Sequence, residues 1–270
     1  MDRKILALDI DGTLTTSKKE ISPKTKEALF KIQEAGHILV LASGRPTPGM
    51  KRYAEELELA KYGGYLLSFN GARITNCKSG DIIYAQTLPG SVIPGLYEFA
   101  TRNHCGLITY YKDSVVSGNG IDKYNELESS INGMPLMEVD DFVGFVNYNV
   151  NKCLMTAEPE KAERCLSELQ EKYADILSIY RSEPFFIEIM PQHVDKANSL
   201  EHMLKLLKME KKDLICCGDG YNDISMISYA GVGVAMANAR DEVKAAADFV
   251  TGSNDEDGLV TVVEKFIPGC

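Results

Sequence analysis

Lys4-Ile5-Leu6-Ala7-Leu8-Asp9-Ile10 is a near-continuous apolar run that meets its first carboxylate at position 9. A strand with one wet face alternates polar and apolar residues. An unbroken run belongs to a strand covered on both faces, as in a parallel sheet with helices above and below. The next segments keep to that architecture. Ser22 before Pro23, then Ala28, Leu29, Ile32 and Ala35, then Gly36 spell an N-cap, a first-turn proline, an apolar stripe and a stop, which predicts an amphipathic helix. His37-Ile38-Leu39-Val40-Leu41-Ala42 predicts a second buried strand, and Met50, Tyr53, Ala54 and Leu57 a helix after Ser43-Gly44-Arg45-Pro46. The alternation returns toward the C-terminus, with a helix over 196–208, a strand at Leu214-Ile215-Cys216-Cys217 and a helix over 222–230. Short strands at 231–236 and Phe249-Val250 and a closing helix over 258–267 complete it. The expected fold is α/β, a doubly wound parallel sheet that binds ligands at the carboxyl ends of its strands.

Residues 85–188 break this rhythm with tyrosine-rich stretches, the turn-like Ser117-Gly118-Asn119-Gly120 and one clear helix at about 159–173. They predict a separate α+β module, connected around Pro89 and Pro191 by hinges that let it move over the site. A chain of 270 residues, 44% hydrophobic and 25% charged, has the material for two such folded parts. Its net charge of −10 opposes binding to nucleic acid or an anionic membrane surface. No run approaches the roughly 20 apolar residues that span a bilayer, and carboxylates interrupt the N-terminal run too early for a signal peptide. Seven cysteines without framework spacing fit a reducing cytoplasm.

Chemistry gathers in two places. Asp9-Ile10-Asp11-Gly12-Thr13 follows the first strand, where two carboxylates two residues apart are expected to point to the same side and grip a divalent cation. A plain Asp/Gly turn is the competing reading. Asp9, Asp11, Thr13 and Glu20 also fall at calcium-loop positions, but Leu14 stands where that loop needs glycine, and a strand precedes it. Gly218-Asp219-Gly220-Tyr221-Asn222-Asp223 again follows a buried strand, so two strands deliver carboxylates to one edge. Hard oxygen donors suit Mg²⁺. Ser43, beside the open backbone of Gly44, and Lys196, at a helix N-terminus, complete a plausible phosphate cradle. Arg45 reaches substrate or makes an ion pair. Tyr110, Tyr111 and Tyr124 stack on a sugar or fill their module's core. His37, His104, His193 and His202 show no ligand spacing and read as exposed or capping residues.

The chain resembles the haloacid dehalogenase superfamily of aspartate-nucleophile phosphatases, specifically its Cof-type branch with a subclass IIB cap. The resemblance rests on Asp9-Ile10-Asp11-Gly12-Thr13, Ser43-Gly44-Arg45-Pro46, Lys196 and Gly218-Asp219-Gly220-Tyr221-Asn222-Asp223, in that order. Asn70-Gly71-Ala72, Phe186-Ile187-Glu188-Ile189-Met190-Pro191 and Gly231-Val232-Gly233-Val234-Ala235-Met236 extend it over nearly the whole chain. It implies a discontinuous Rossmann-like core, 1–84 plus 189–270, with an inserted α/β cap at 85–188. It further implies that Asp9 attacks phosphorus and that Asp11, carrying a proton, serves as acid and then base. Asp9, the backbone carbonyl of Asp11 and Asp219 would hold Mg²⁺, with Asp223 as a further ligand. Thr13, Ser43, Gly44, Arg45, Lys196 and Asn222 would address the phosphoryl group or the rest of the substrate.

The expected enzyme is a cytoplasmic, Mg²⁺-dependent phosphatase acting on a small-molecule phosphate ester, most simply a sugar phosphate, as a monomer or homodimer. A sugar phosphomutase shares these motifs and differs in yielding an isomer instead of inorganic phosphate. A non-enzymatic Mg²⁺ and phosphate switch is a third reading, with neither a cap nor a need for Asp11.

Overall fold

The computed structural model describes residues 3–267. In chain order its strands are β1 Ile5–Leu8, β2 Ile38–Ala42, β3 Tyr65–Ser68, β4 Arg73–Asn76 and β5 Ile82–Ala85; then β6 Gly106–Tyr111, β7 Ser114–Ser117, β8 Leu136–Glu138, β9 Cys153–Thr156, β10 Leu177–Glu183 and β11 Phe186–Pro191; and last β12 Leu214–Gly218, β13 Val232–Ala235 and β14 Phe249–Val250. They form an eight-stranded sheet ordered β14-β13-β12-β1-β2-β3-β4-β5 and a six-stranded sheet ordered β10-β11-β9-β6-β7-β8.

The first sheet belongs to a unit made of the residues up to Tyr84 and those from Asp195 on. From β14 to β3 its neighbouring pairs are parallel. β1 is buried throughout, and its alternation sorts side chains onto two layers. Leu6 and Leu8 pack with Leu29 and Ile32 of the helix Pro23–Glu34 and with Leu259 and Val262 of the helix Gly258–Phe266. Ile5 and Ala7 pack with Leu200, Met203 and Leu204 of the helix Lys196–Leu207. Each fully buried Leu or Ile contributes about 2 kcal/mol. Ser22 caps the helix Pro23–Glu34 by accepting from the Thr25 amide at 3.1 Å, and Asp195 caps Lys196–Leu207 by accepting from Asn198 at 2.8 Å.

The expected parallel sheet carries an antiparallel extension at one edge. β4 runs antiparallel to β3, in the register Leu67↔Ile74, and β4 and β5 are largely half-buried or exposed, so they lack the apolar runs that mark the central strands. The expected helix over 222–230 starts as a 3₁₀ turn at Tyr221–Asp223 and is α-helical only over Ile224–Tyr229.

The second unit spans Ala85–Val194. Its sheet is antiparallel except for β7 with β8. The helix Pro159–Tyr173 buries Ala162, Cys165, Leu169 and Tyr173, and helices Ile93–Arg102 and Lys123–Asn132 were not anticipated. Pro191 is paired with Leu177 as the last residue of β11, so the strand continues past 188 and the connection to the first unit lies beyond Pro191. His37 corrects its expected exposure: it is buried, and its Nδ1 accepts from the Lys4 amide at 3.0 Å. No helix among the described residues is long and apolar enough to cross a membrane.

Candidate active site

Three neighbouring parallel strands, β12, β1 and β2, end at Gly218, Leu8 and Ala42, and the residue after each is Asp219, Asp9 and Ser43. The Asp9 amide still donates to Cys217 at 3.0 Å and Ser43 to Leu67 at 2.9 Å, so the sheet aims these side chains. Into this edge comes the ammonium of Lys196, wholly buried at the first residue of its helix. It donates to Asp9 Oδ1 at 2.6 Å, Asp223 Oδ1 at 2.5 Å and the Ala42 carbonyl at 2.9 Å. Those three acceptors use all three of its protons. Burial alone would lower the pKa of Lys196, but Asp223 and Asp9 outweigh burial and raise it.

Oxygens of Asp9, Asp219 and Asp223 lie within 4.8 Å of one another. With all three ionised, three negative charges face one ammonium and two remain uncompensated. Burial, then the charge of Asp223, pushes the Asp9 carboxyl well up despite Lys196. Burial likewise pushes Asp219 up to about 6, against a hydrogen bond from Thr13. One oxygen of Asp9 and one of Asp219 accept no hydrogen bond from any described residue. Both oxygens of Asp223 are engaged, one by Lys196 and the other by the amides of Asp219 and Gly220.

Gly12 makes this cluster possible. Its φ is +86°, and a β-carbon there would stand 2.4 Å from Asp219 Oδ2. Gly12→Ala therefore combines backbone strain with a collision at a candidate ligand, and should lower kcat/KM by roughly 100-fold. Activity within a factor of two of the parent would show that this loop has room to spare.

Asp11 departs from expectation. β1 ends at Leu8, so the alternation of a strand does not carry through to position 11, and its carboxylate is absent from the cluster. It accepts from Arg45 Nε at 2.8 Å, Arg45 Nη2 at 3.0 Å and Lys19 Nζ at 2.9 Å. Burial would raise its pKa, but Arg45 and then Lys19 outweigh it and hold it down to about 2, which favours the ionised form while these partners are in place. Arg45 thus makes the ion pair. Thr13, expected at the phosphate, is buried and donates to Asp219 Oδ1 at 2.9 Å. Gly44 is half-buried, and Ser43 Oγ accepts from the Arg45 amide at 3.2 Å. Asn222 is exposed and donates to Asn70 at 3.1 Å.

A family described as haloacid dehalogenase-like hydrolase matches residues 6–263. The chain belongs to that family. This haloacid dehalogenase-like hydrolase is 30% identical to the putative phosphatase YxeH of Bacillus subtilis, over 98% of both chains. It is 45% identical to a crystal structure of a haloacid dehalogenase-like hydrolase from Bacteroides thetaiotaomicron, covering 98% of this chain and 99% of that one with a TM-score of 0.94. A subclass IIB sugar phosphatase is also similar, at 25% identity and a TM-score of 0.81 over 97% and 98% of the two chains. The chain is an enzyme, a phosphatase of this family.

Two residues of the hydrolase's site escaped the motifs. Lys19 reaches Asp11 from the loop before the first helix, a loop lysine indistinguishable in sequence from a solvated one. Asn238 donates to the Gly12 carbonyl at 2.8 Å and so braces the first motif. The only signal for it is its place shortly after β13, whose carboxyl end reaches the same sheet edge.

Proposed function

We propose that this phosphatase is Mg²⁺-dependent and releases inorganic phosphate from a small phosphorylated metabolite, most simply a sugar phosphate, through a phosphoryl group carried on Asp9. The observation that carries the reading is the Asp9 carboxylate set between the buried Lys196 ammonium and the carboxylates of Asp219 and Asp223. The sugar-phosphatase name of one structural relative supports the substrate class.

The donor set fits a hard divalent cation: oxygen donors only, two of the carboxylate oxygens without a hydrogen bond from any described residue, and two charges uncompensated. Asp9, Asp219 and the backbone carbonyl of Asp11 would hold it, with Asp223 orienting Lys196 and the Asp219 loop. When bound, Mg²⁺ neutralises charge on the phosphoryl oxygens. Asp9, a carboxylate that needs no activating base, forms the bond to phosphorus as the leaving oxygen departs. Lys196 exchanges one of its present acceptors for a phosphoryl oxygen, and Ser43, the Gly44 amide and Asn222 take the others. Asp11 rests in its ionised form, ready to activate the water that cleaves the aspartyl phosphate. Its acid half requires substrate to draw Arg45 or Lys19 away first.

Substrate selection we assign to the inserted unit, Ala85–Val194, but not to the tyrosines first considered. Tyr110 donates to Glu128 at 2.7 Å, Tyr111 packs against Phe145 and Tyr148, and Tyr124 stacks on Phe185. Asn119 caps the start of β6 by accepting from Leu107 at 2.9 Å.

The test is phosphate release across a panel of sugar phosphates and nucleotides. EDTA should abolish it and Mg²⁺ restore it. Isomeric product without phosphate would identify a mutase. The Mg²⁺ concentration for half-maximal rate should rise as pH falls below about 6, because Asp219 then takes up a proton in place of the cation. For the metal-free protein the sign is reversed. A carboxyl whose folded pKa lies above its ordinary 3.8 favours the folded state as pH falls from about 6 toward 4. A half-saturating Mg²⁺ concentration that stays flat across this window would remove Asp219 from the ligand set.

A further inference from the structure

The tip of the β3–β4 hairpin holds three consecutive residues in the left-handed region: Phe69 at φ 54°, Asn70 at 53° and Gly71 at 103°. Only the last is a glycine, and Phe69 is a bulky residue for which this conformation is unfavourable. Such geometry persists where the surroundings over-determine it, and concentrates at functional sites. The surroundings here are the site's own motifs. The Phe69 amide donates to the Arg45 carbonyl at 2.9 Å and the Asn70 amide to the Ser43 carbonyl at 3.0 Å, so the tip is laced to the second motif. The Gly71 carbonyl accepts from Ser199, one turn into the helix that Lys196 opens. A β-carbon at Gly71 would stand 2.6 Å from the Asp195 carbonyl oxygen. At the apex, the Asn70 side-chain oxygen accepts from Asn222 Nδ2 at 3.1 Å. The missing β-carbon of Gly44 gives the Asn70 amide room: one there would lie 3.1 Å from Asn70 Oδ1.

We infer that Asn70 is a positioning residue of the phosphatase site: its side chain, presented by a strained turn, fixes the Asn222 carboxamide against the Ser43-Gly44 loop. The geometry gives Asn222, exposed on a short 3₁₀ turn, a side-chain partner that directs it. It also explains why strain is retained where glycine at position 70 would relieve it. The inference rests on the reading of Asn222 as a phosphoryl-binding residue.

The experiment compares Asn70→Gly, Asn70→Asp, Asn222→Ala and the double variant Asn70→Gly/Asn222→Ala by kcat and KM for p-nitrophenyl phosphate and by thermal unfolding. Asn70→Gly should keep its unfolding midpoint within about 3 °C of the parent or exceed it, while kcat/KM falls by roughly tenfold or more. Asn70→Asp, which retains an acceptor for Asn222, should recover part of that loss. The double variant should be no worse than Asn222→Ala alone, because both remove one function. Additive losses would overturn the inference, as would an Asn70→Gly enzyme with unchanged kcat/KM or one that loses activity only because it unfolds. If Asn222→Ala is silent, the reading of Asn222 fails by itself. A loss in Asn70→Gly would then belong to another interaction, and the inference falls too.

Discussion

Asp9→Asn should leave the fold intact and reduce the rate of phosphate release on the order of 10⁴-fold or more, the scale seen when a covalent nucleophile is removed. Asparagine matches aspartate in shape, and its carbonyl oxygen still accepts from Lys196, so the buried contact at 2.6 Å is weakened instead of emptied. What disappears is the anionic oxygen that, in the proposed mechanism, forms the bond to phosphorus. Removing one of three clustered carboxylates also relieves like-charge repulsion around Asp219 and Asp223, so the metal-free variant should melt no lower than the parent. A variant that keeps a tenth of the parental rate at an unchanged midpoint would mean that a group other than Asp9 attacks.

Lys196→Met should have the largest effect on stability. Its ammonium is wholly buried, and its loss strands the carboxylates of Asp9 and Asp223, of which Asp223 is itself 1% exposed. Breaking a buried ion pair by removing one partner costs about 3–5 kcal/mol, which lowers the unfolding midpoint of a chain this size by roughly 10 °C. Phosphate release should fall with it, because the same ammonium faces Asp9, the proposed nucleophile. Adding Asp223→Asn to Lys196→Met should recover part of the stability and none of the activity. The comparison is made by calorimetry in EDTA, where no added cation can stand in for the lost charge. An unchanged midpoint would show that the ammonium is not needed to hold the carboxylates.

How much of this was legible depends on burial. β1, β2 and β12 sit in the middle of the sheet, are covered on both faces and show as unbroken apolar runs, so their carboxyl ends, and with them Asp9, Ser43 and Asp219, could be placed from sequence. β4, Arg73-Ile74-Thr75-Asn76, carries one fully buried residue and gives no such run. Its antiparallel pairing is announced only by Asn70-Gly71, a dipeptide suited to tight hairpin turns. The clustering of Asp9, Asp219, Asp223 and Lys196 was legible because each follows a strand or opens a helix at one edge. The partners of Asp11 were not. Arg45 and Lys19 reach it through side-chain directions set by loops, and period-two reasoning stops where the strand does, at Leu8. In the inserted unit the helices Ile93–Arg102 and Lys123–Asn132 were hidden behind tyrosine- and asparagine-rich text, which pays out in local packing such as Tyr97 stacked on Phe142.

The most direct test of the account is to look for the phosphoryl group on Asp9. Asp11→Asn removes the carboxylate assigned to activating water, so it should slow breakdown of the intermediate. Incubated with Mg²⁺ and a turned-over phosphate ester, quenched in acid and digested, this variant should carry one phosphoryl group on the peptide containing Asp9. Borohydride should reduce that residue to homoserine, and EDTA should prevent the modification. A phosphoryl group on any other residue, or none while burst kinetics show a covalent intermediate, would contradict the assignment of Asp9 as the nucleophile.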